Sequence, residues 1–164
     1  MIWLRSWRGD PIARVIADRH YNRQAIGSSQ FVPPGRCLVL VIPGAALWIT
    51  SWPFAEYVKH AWAGAWVCSA FRNERPDLYR SSELIRAAVA ATRAEWTPPP
   101  LGMVTFVDTE KTRRKRDPGR CYRRAGFEPV GHTAGGLVAL QLLPDAMPAP
   151  APPLEAQPSL FAQA

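Results

Sequence analysis

The sequence predicts an α/β (α+β) domain followed by a disordered tail. Three observations carry this expectation. Short apolar runs recur between turn residues, one long amphipathic helix ends in three prolines, and composition changes abruptly at Pro144. At 164 residues with 48% hydrophobic content, the chain is long enough for one buried core. The expected boundaries are a single domain over 1–143 and a tail over 144–164.

Met1–Arg8 reads as a short first strand, with Ile2 and Leu4 alternating against Trp3 and Arg5. Asp10 caps a helix whose first position is Pro11, where a proline loses no needed N–H. Its expected buried stripe is Ile12, Val15 and Ile16. Cys37–Ile42 and Ala46–Ser51 form a hairpin around Pro43-Gly44. Trp52–Trp62 reads as a loop with one helical turn, its aromatics serving as core or as a base-stacking surface. Gly64–Phe71 is a central apolar strand running into Arg72-Asn73-Glu74, at the carboxyl end where open sheets place ligands. Ser81 or Ser82 caps the helix Ser82–Trp96, whose apolar face is Leu84, Ile85, Ala88, Val89 and Thr92. Pro98-Pro99-Pro100 stops it. A strand at Gly102–Val107 follows, and Gly136–Leu143 is the last.

Charge is concentrated. Lys111–Arg124 holds eight Lys or Arg and one acid, which accounts for the whole formal net charge of +7. Such a run points to a polyanion, with Lys111, Arg113, Arg114, Lys115, Arg116 and Arg120 as the expected grip on double-stranded DNA. A solvated basic loop is the alternative. The cysteines, Cys37, Cys68 and Cys121, lack metal or disulfide spacing, and Cys37 and Cys68 read as small core residues. No signal peptide or membrane-length apolar run is present, so a soluble, cytoplasmic protein is expected. Six of the final 21 residues are proline, which argues against a packed tail.

Tyr122-Arg123-Arg124-Ala125-Gly126-Phe127 resembles the closing motif of the GNAT acyltransferase fold, where a Tyr-bearing helix ends in Gly-Phe and leads into a final strand. The resemblance covers roughly Val39 to Leu143. It implies a central mixed, mostly antiparallel sheet flanked by helices, an acyl-CoA donor entering between two splayed strands, and Tyr122 as general acid toward the leaving thiolate. The family's glycine-rich pyrophosphate loop is missing. Residues Arg75 to Glu83 contain no glycine, so Ser81, Ser82 and Glu83, at the start of the long helix, remain as cofactor-binding candidates through their N–H groups.

Within that fold, the chain resembles the Mom family of phage-type DNA modification proteins, which place a carbamoylmethyl group on the N6 amine of adenine. The residues that carry this are His20-Tyr21, Arg72, Asp108 and Tyr122. The resemblance implies a catalytic set of these five, with iron as a possible cofactor. Gln157-Pro158-Ser159-Leu160-Phe161 resembles the bacterial sliding-clamp-binding motif, with Gln157, Leu160 and Phe161 as its anchors.

The chemistry fits these residue types. The adenine amine is a poor nucleophile, so a base must take its proton and an acid must assist the leaving group. His20 or Asp108 can be the base, Tyr122 the acid, and Arg72 a two-pronged holder for a donor carboxylate or phosphate. Tyr21 or Trp52 can stack on an extruded base. His20 with Asp108 can instead begin a metal site, although two ligands do not complete one. Each residue has a plainer role beside this. Asp108 can cap a turn, Tyr122 can be a core aromatic, and Arg72 can pair with Glu74 or Glu83. His60 and His132 read as surface residues. The functions in contention are base modification, N-acetyl transfer from acetyl-CoA to a small amine or protein, and non-catalytic DNA or clamp binding. A homodimer is left open.

Overall fold

The computed structural model describes residues 2–20, 26–28, 31–112 and 117–155. Tyr21, Arg113 to Arg116, and Gln157, Leu160 and Phe161 lie outside the described residues.

The elements follow one another as β1 (Leu4–Arg5), α1 (Pro11–Ala17), β2 (Arg36–Ile42), β3 (Ala46–Trp52), β4 (Trp66–Asn73), α2 (Ser81–Glu95), β5 (Met103–Val107), α3 (Arg120–Arg124), β6 (Glu128–His132) and β7 (Val138–Leu142). Among the described residues the strands form one seven-stranded sheet in the order β1-β2-β3-β4-β5-β7-β6. Every neighbouring pair is antiparallel except β4 and β5, which are parallel and joined by the α2 crossover. The expected mixed, mostly antiparallel sheet with flanking helices is therefore present. No described helix is long and apolar enough to cross a membrane.

The β2–β3 hairpin matches its expected position. Its turn closes through Ala45 N–H to Ile42 O at 2.9 Å, and Gly44 takes a left-handed φ of 71°. Alternation then divides the hairpin between two cores. Leu38, Leu40 and Trp48 join the α2 side, whereas Val39, Val41, Leu47 and Ile49 pack under α1. Thr92 is buried on the apolar face of α2. Its hydroxyl is satisfied by Thr50 at 2.9 Å and by donation to Ala88 O at 2.9 Å, while Trp48 Nε1 donates to Thr50 at 2.7 Å.

Several expectations are corrected. The first strand shortens to Leu4–Arg5 because Trp3 turns fully into the α2 core, where Nε1 donates to Leu84 O at 2.9 Å. The buried stripe of α1 is Ala13, Ile16 and Ala17, while Ile12 and Val15 are 54% and 49% exposed. Two alanines on the inner face let a seven-residue helix lie close to the sheet, which bulkier side chains would prevent. Neither Ser81 nor Ser82 caps α2. The N-cap is Arg80, without a side-chain cap bond, and the Ser81 hydroxyl accepts from Asn73 Nδ2 at 3.1 Å. Cys37 is only half-buried, its sulfur accepting from Arg8 at 3.2 Å. Of the aromatics in Trp52–Trp62, Trp52 stacks on Trp96 with ring centres 5.5 Å apart, but Phe54 and Tyr57 are exposed.

The tail is the largest correction. Residues 144–155 dock on the body rather than forming a disordered tail from 144. Met147 and Pro153 are buried, Ala151 N–H donates to Ala90 O at 3.1 Å, and Leu154 bridges Leu4 in parallel. Arg5 holds Glu155 and Glu95 at 2.8 Å each. Proline lowers the entropy that the free strap loses, so a few anchors suffice. Truncation after Leu143 is expected to lower unfolding stability by about 2–4 kcal/mol, roughly one buried Met side chain plus two or three hydrogen bonds. Urea denaturation of the two chains checks this.

Candidate active-site cleft

The parallel ladder between β4 and β5 is short. It pairs Trp66 with Met103, Val67 with Val104 and Cys68 with Thr105, and then ends. Beyond that point β4 continues to Asn73 beside β3 alone, and β5 continues to Val107 beside β7 alone. A register shift against Ile49 and Thr50 marks the place, leaving Ser69 as the extra residue of β4. The two strands part, and a cleft of about 440 Å³ opens between them. That volume suits a small organic ligand.

Phe71, Arg72 and Asn73 form the β4 wall, and Val107 stands on the β5 side. The end of α1 supplies Arg19 and His20, and the start of α2 supplies Ser81. Lys111, Thr112 and Gly119 come from the basic stretch, and Cys121 and Tyr122 from α3. Of the predicted catalytic residues, the structure thus brings His20, Arg72 and Tyr122 together. Arg72 also pairs with Glu74 at 3.2 Å, as its plainer reading expected.

Tyr122 is held firmly. Gly119 opens α3 at φ 82°, a conformation that permits the tight turn and approaches Leu140 closely. At the other end, Phe127 N–H returns to Tyr122 O at 3.0 Å, and Arg86 clamps Ala125 O at 2.8 Å. The Tyr122 ring meets Phe71 and Phe127 edge-on, with centres 6.2 and 5.6 Å away. Its hydroxyl lies 3.7 Å from Cys68 Sγ at the point where the strands separate. Burial, reinforced by Cys68 and Cys121, pushes the Tyr122 phenol well above its ordinary range. It therefore stays protonated at neutral pH.

Burial likewise pushes the Cys68 thiol from 9.0 up to about 12. A folded-state value raised above the unfolded one contributes stability present below pH 9.0 and lost as pH rises toward about 12. Melting temperature is expected to fall across that window, less steeply in Cys68→Ala. A thermal scan at each pH checks this.

Asp108 takes the plainer of the two roles expected for it. Its Oδ1 accepts from the N–H groups of Glu110 and Lys111 at 3.0 and 3.1 Å, and it is not among the residues lining the cleft. This is the turn-capping role. Asp108→Ala is expected to cost about 1 kcal/mol of stability, measured by denaturation. Among the described residues, no three His, Cys, Asp or Glu side chains converge as a metal site.

No family model, curated protein or solved structure matches the chain.

A second cavity of about 280 Å³ adjoins the first, sharing Ser81, Gly119 and Cys121. Ser82, Arg80, Asp117, Arg120 and Arg124 complete it. Ser81 and Ser82, the expected cofactor-binding candidates, both line this cavity. Glu83, the third candidate, lines neither cavity: its N–H is bonded to Arg80 O at 3.1 Å, and its carboxylate is exposed. Arg120, expected on DNA, lines this cavity, and Lys111 rims the main cleft. Of the other lining residues, Asn73 was marked by its place at the carboxyl end of β4 and Arg124 by the basic run, whereas Arg19 and Arg80 were not singled out individually. His60, expected at the surface, stacks on Phe106 at 4.9 Å, and burial lowers its imidazole pKa. His132 is exposed as expected.

Proposed function

We propose that this chain is a GNAT-like group transferase that modifies the exocyclic amine of adenine in DNA. The observation that carries the reading is the parting of β4 and β5 after Cys68 and Thr105, with Tyr122 at the apex of the cleft. The splayed pair is the feature that the GNAT resemblance implies for donor binding. The Mom resemblance and the basic rim favour DNA as acceptor, because phosphate contacts would hold the duplex while the target base leaves the stack.

An acyl thioester fits the arginine-lined second cavity, where Arg80, Arg120 and Arg124 would neutralise its phosphates in place of the missing glycine loop. Such a donor supplies an activated carbon with a thiol leaving group. The chain's own residues then have complementary tasks. His20 accepts the proton leaving the amine as the new N–C bond forms, and Tyr122 donates its phenolic proton to the departing sulfur as the C–S bond breaks. Arg72 orients the donor, and the apolar flank of Phe71 and Val107 limits water.

Mass spectrometry of nucleosides from DNA of cells expressing the chain tests this, with Arg72→Ala as the control. A new adenosine-derived mass that vanishes in the control is expected, and its increment identifies the group. An unchanged profile in expressing cells overturns base modification. The second reading is N-acetyl transfer from acetyl-CoA to a small amine or protein, favoured by the three arginines of the second cavity. Acetyl-CoA titration tests it.

A further inference from the structure

Three cations, Arg19, Arg72 and Lys111, line the main cleft, and no described lining residue is acidic. Just outside the lining sits Glu74, 14% exposed, with its backbone fixed by N–H donation to Ala45 O at 2.7 Å. Its two carboxylate oxygens go to different arginines. Oε1 accepts from Arg19 Nη1 at the end of α1, and Oε2 accepts from Arg72 Nε on β4. One acid therefore joins two elements that the sequence separates by more than fifty residues.

A guanidinium has roughly five N–H donors, and this arrangement spends one from each arginine. The remaining donors belong to groups whose positions are set by a shared anchor. Two cations on one carboxylate leave a net positive charge, and Lys111 adds to it across the cleft. Pre-placed donors bind an oxyanion with less loss of side-chain freedom than mobile ones.

We propose that Glu74 is a positioning residue that holds Arg19 and Arg72 as a paired oxyanion clamp, binding a phosphate or carboxylate at the mouth of the cleft. The proposal rests on reading the cleft as the reaction site, to which it adds Glu74 and in which it gives Arg19 a role. The oxyanion belongs either to the donor or to the DNA backbone next to the target base.

Inorganic phosphate, titrated into the full chain and followed by the Arg19 and Arg72 side-chain Nε–H resonances, tests this. Both resonances are expected to move with one dissociation constant. Glu74→Gln separates positioning from simple charge. It raises the positive charge of the cleft by one, so a purely electrostatic role predicts tighter phosphate binding. The clamp predicts binding weaker by about tenfold or more, because the shared anchor is lost. Equal or tighter binding in Glu74→Gln overturns the proposal. Arg19→Gln, at a half-exposed position, is expected to show the same loss even where Glu74→Gln does not fold. Unchanged binding in Arg19→Gln also overturns it. A short DNA duplex that displaces the phosphate assigns the clamp to the backbone, and phosphate retained beside bound duplex assigns it to the donor. The titration contains no donor and detects no modification, so its failure is distinct from failure of the nucleoside experiment.

Discussion

Tyr122→Phe is expected to slow group transfer by about two to three orders of magnitude, the usual worth of a positioned general acid. Binding of DNA and of the donor should stay nearly unchanged. The substitution removes one oxygen, which shares weak contacts with Cys68 Sγ at 3.7 Å and with the Thr105 side chain, and it keeps the ring contacts with Phe71 and Phe127. Stability should therefore change by less than about 1 kcal/mol. Because the phenol is held well above its ordinary range, wild-type turnover should not decline on the alkaline side until well past pH 8. Single-turnover rates on a DNA duplex measure this. A Tyr122→Phe rate within twofold of wild type removes Tyr122 from the chemistry and leaves it a core aromatic.

Gly102→Ala is expected to be the most damaging single-methyl change, at about 4 kcal/mol or more. Gly102 lies at φ 65°, and a Cβ there would sit 2.1 Å from Leu142 O and 3.0 Å from Leu143 Cα. These are backbone atoms at the end of β7 and just past it, so no side chain can rotate away. The same residue accepts from Trp66 N–H at 2.9 Å and donates to Pro99 O at 2.8 Å, which sets the register of β5 as it enters the sheet. Gly44→Ala is the control, with φ 71° but open space around its Cβ position. It should cost only about 1 kcal/mol. Chemical denaturation of both variants decides the point. Equal losses would show that backbone conformation alone, not the Leu142 contact, governs Gly102.

The elements most visible in the sequence were those whose burial is set locally. Pro43-Gly44 marks a turn by its own chemistry, and Leu84 to Thr92 repeat at helical spacing, so the hairpin and α2 stand close to where they were expected. The face of α1 could not be read from its largest side chains. Its packing depends on how near the sheet lies, which selected Ala13 and Ala17 over Ile12 and Val15. Proline content hid the docking of residues 144–155, because their anchors, Met147, Ala151 and Leu154, meet partners far away in sequence. At the site, His20, Arg72 and Tyr122 were legible as polar groups beside apolar elements. Asp108 was legible as an acid, but a side chain that satisfies two N–H groups of its own turn looks the same in sequence as one facing a substrate.

The strap that ends at Glu155 also controls reach. Its last described anchors are the Leu154 pairing with Leu4 and the Arg5 grip on Glu155. Gln157 is two residues further on, a span of at most about 7 Å. A partner that bound Gln157 would therefore meet the chain beside β1, while Leu160 and Phe161, five and six residues past Glu155, could lie at most about 20 Å from that anchor.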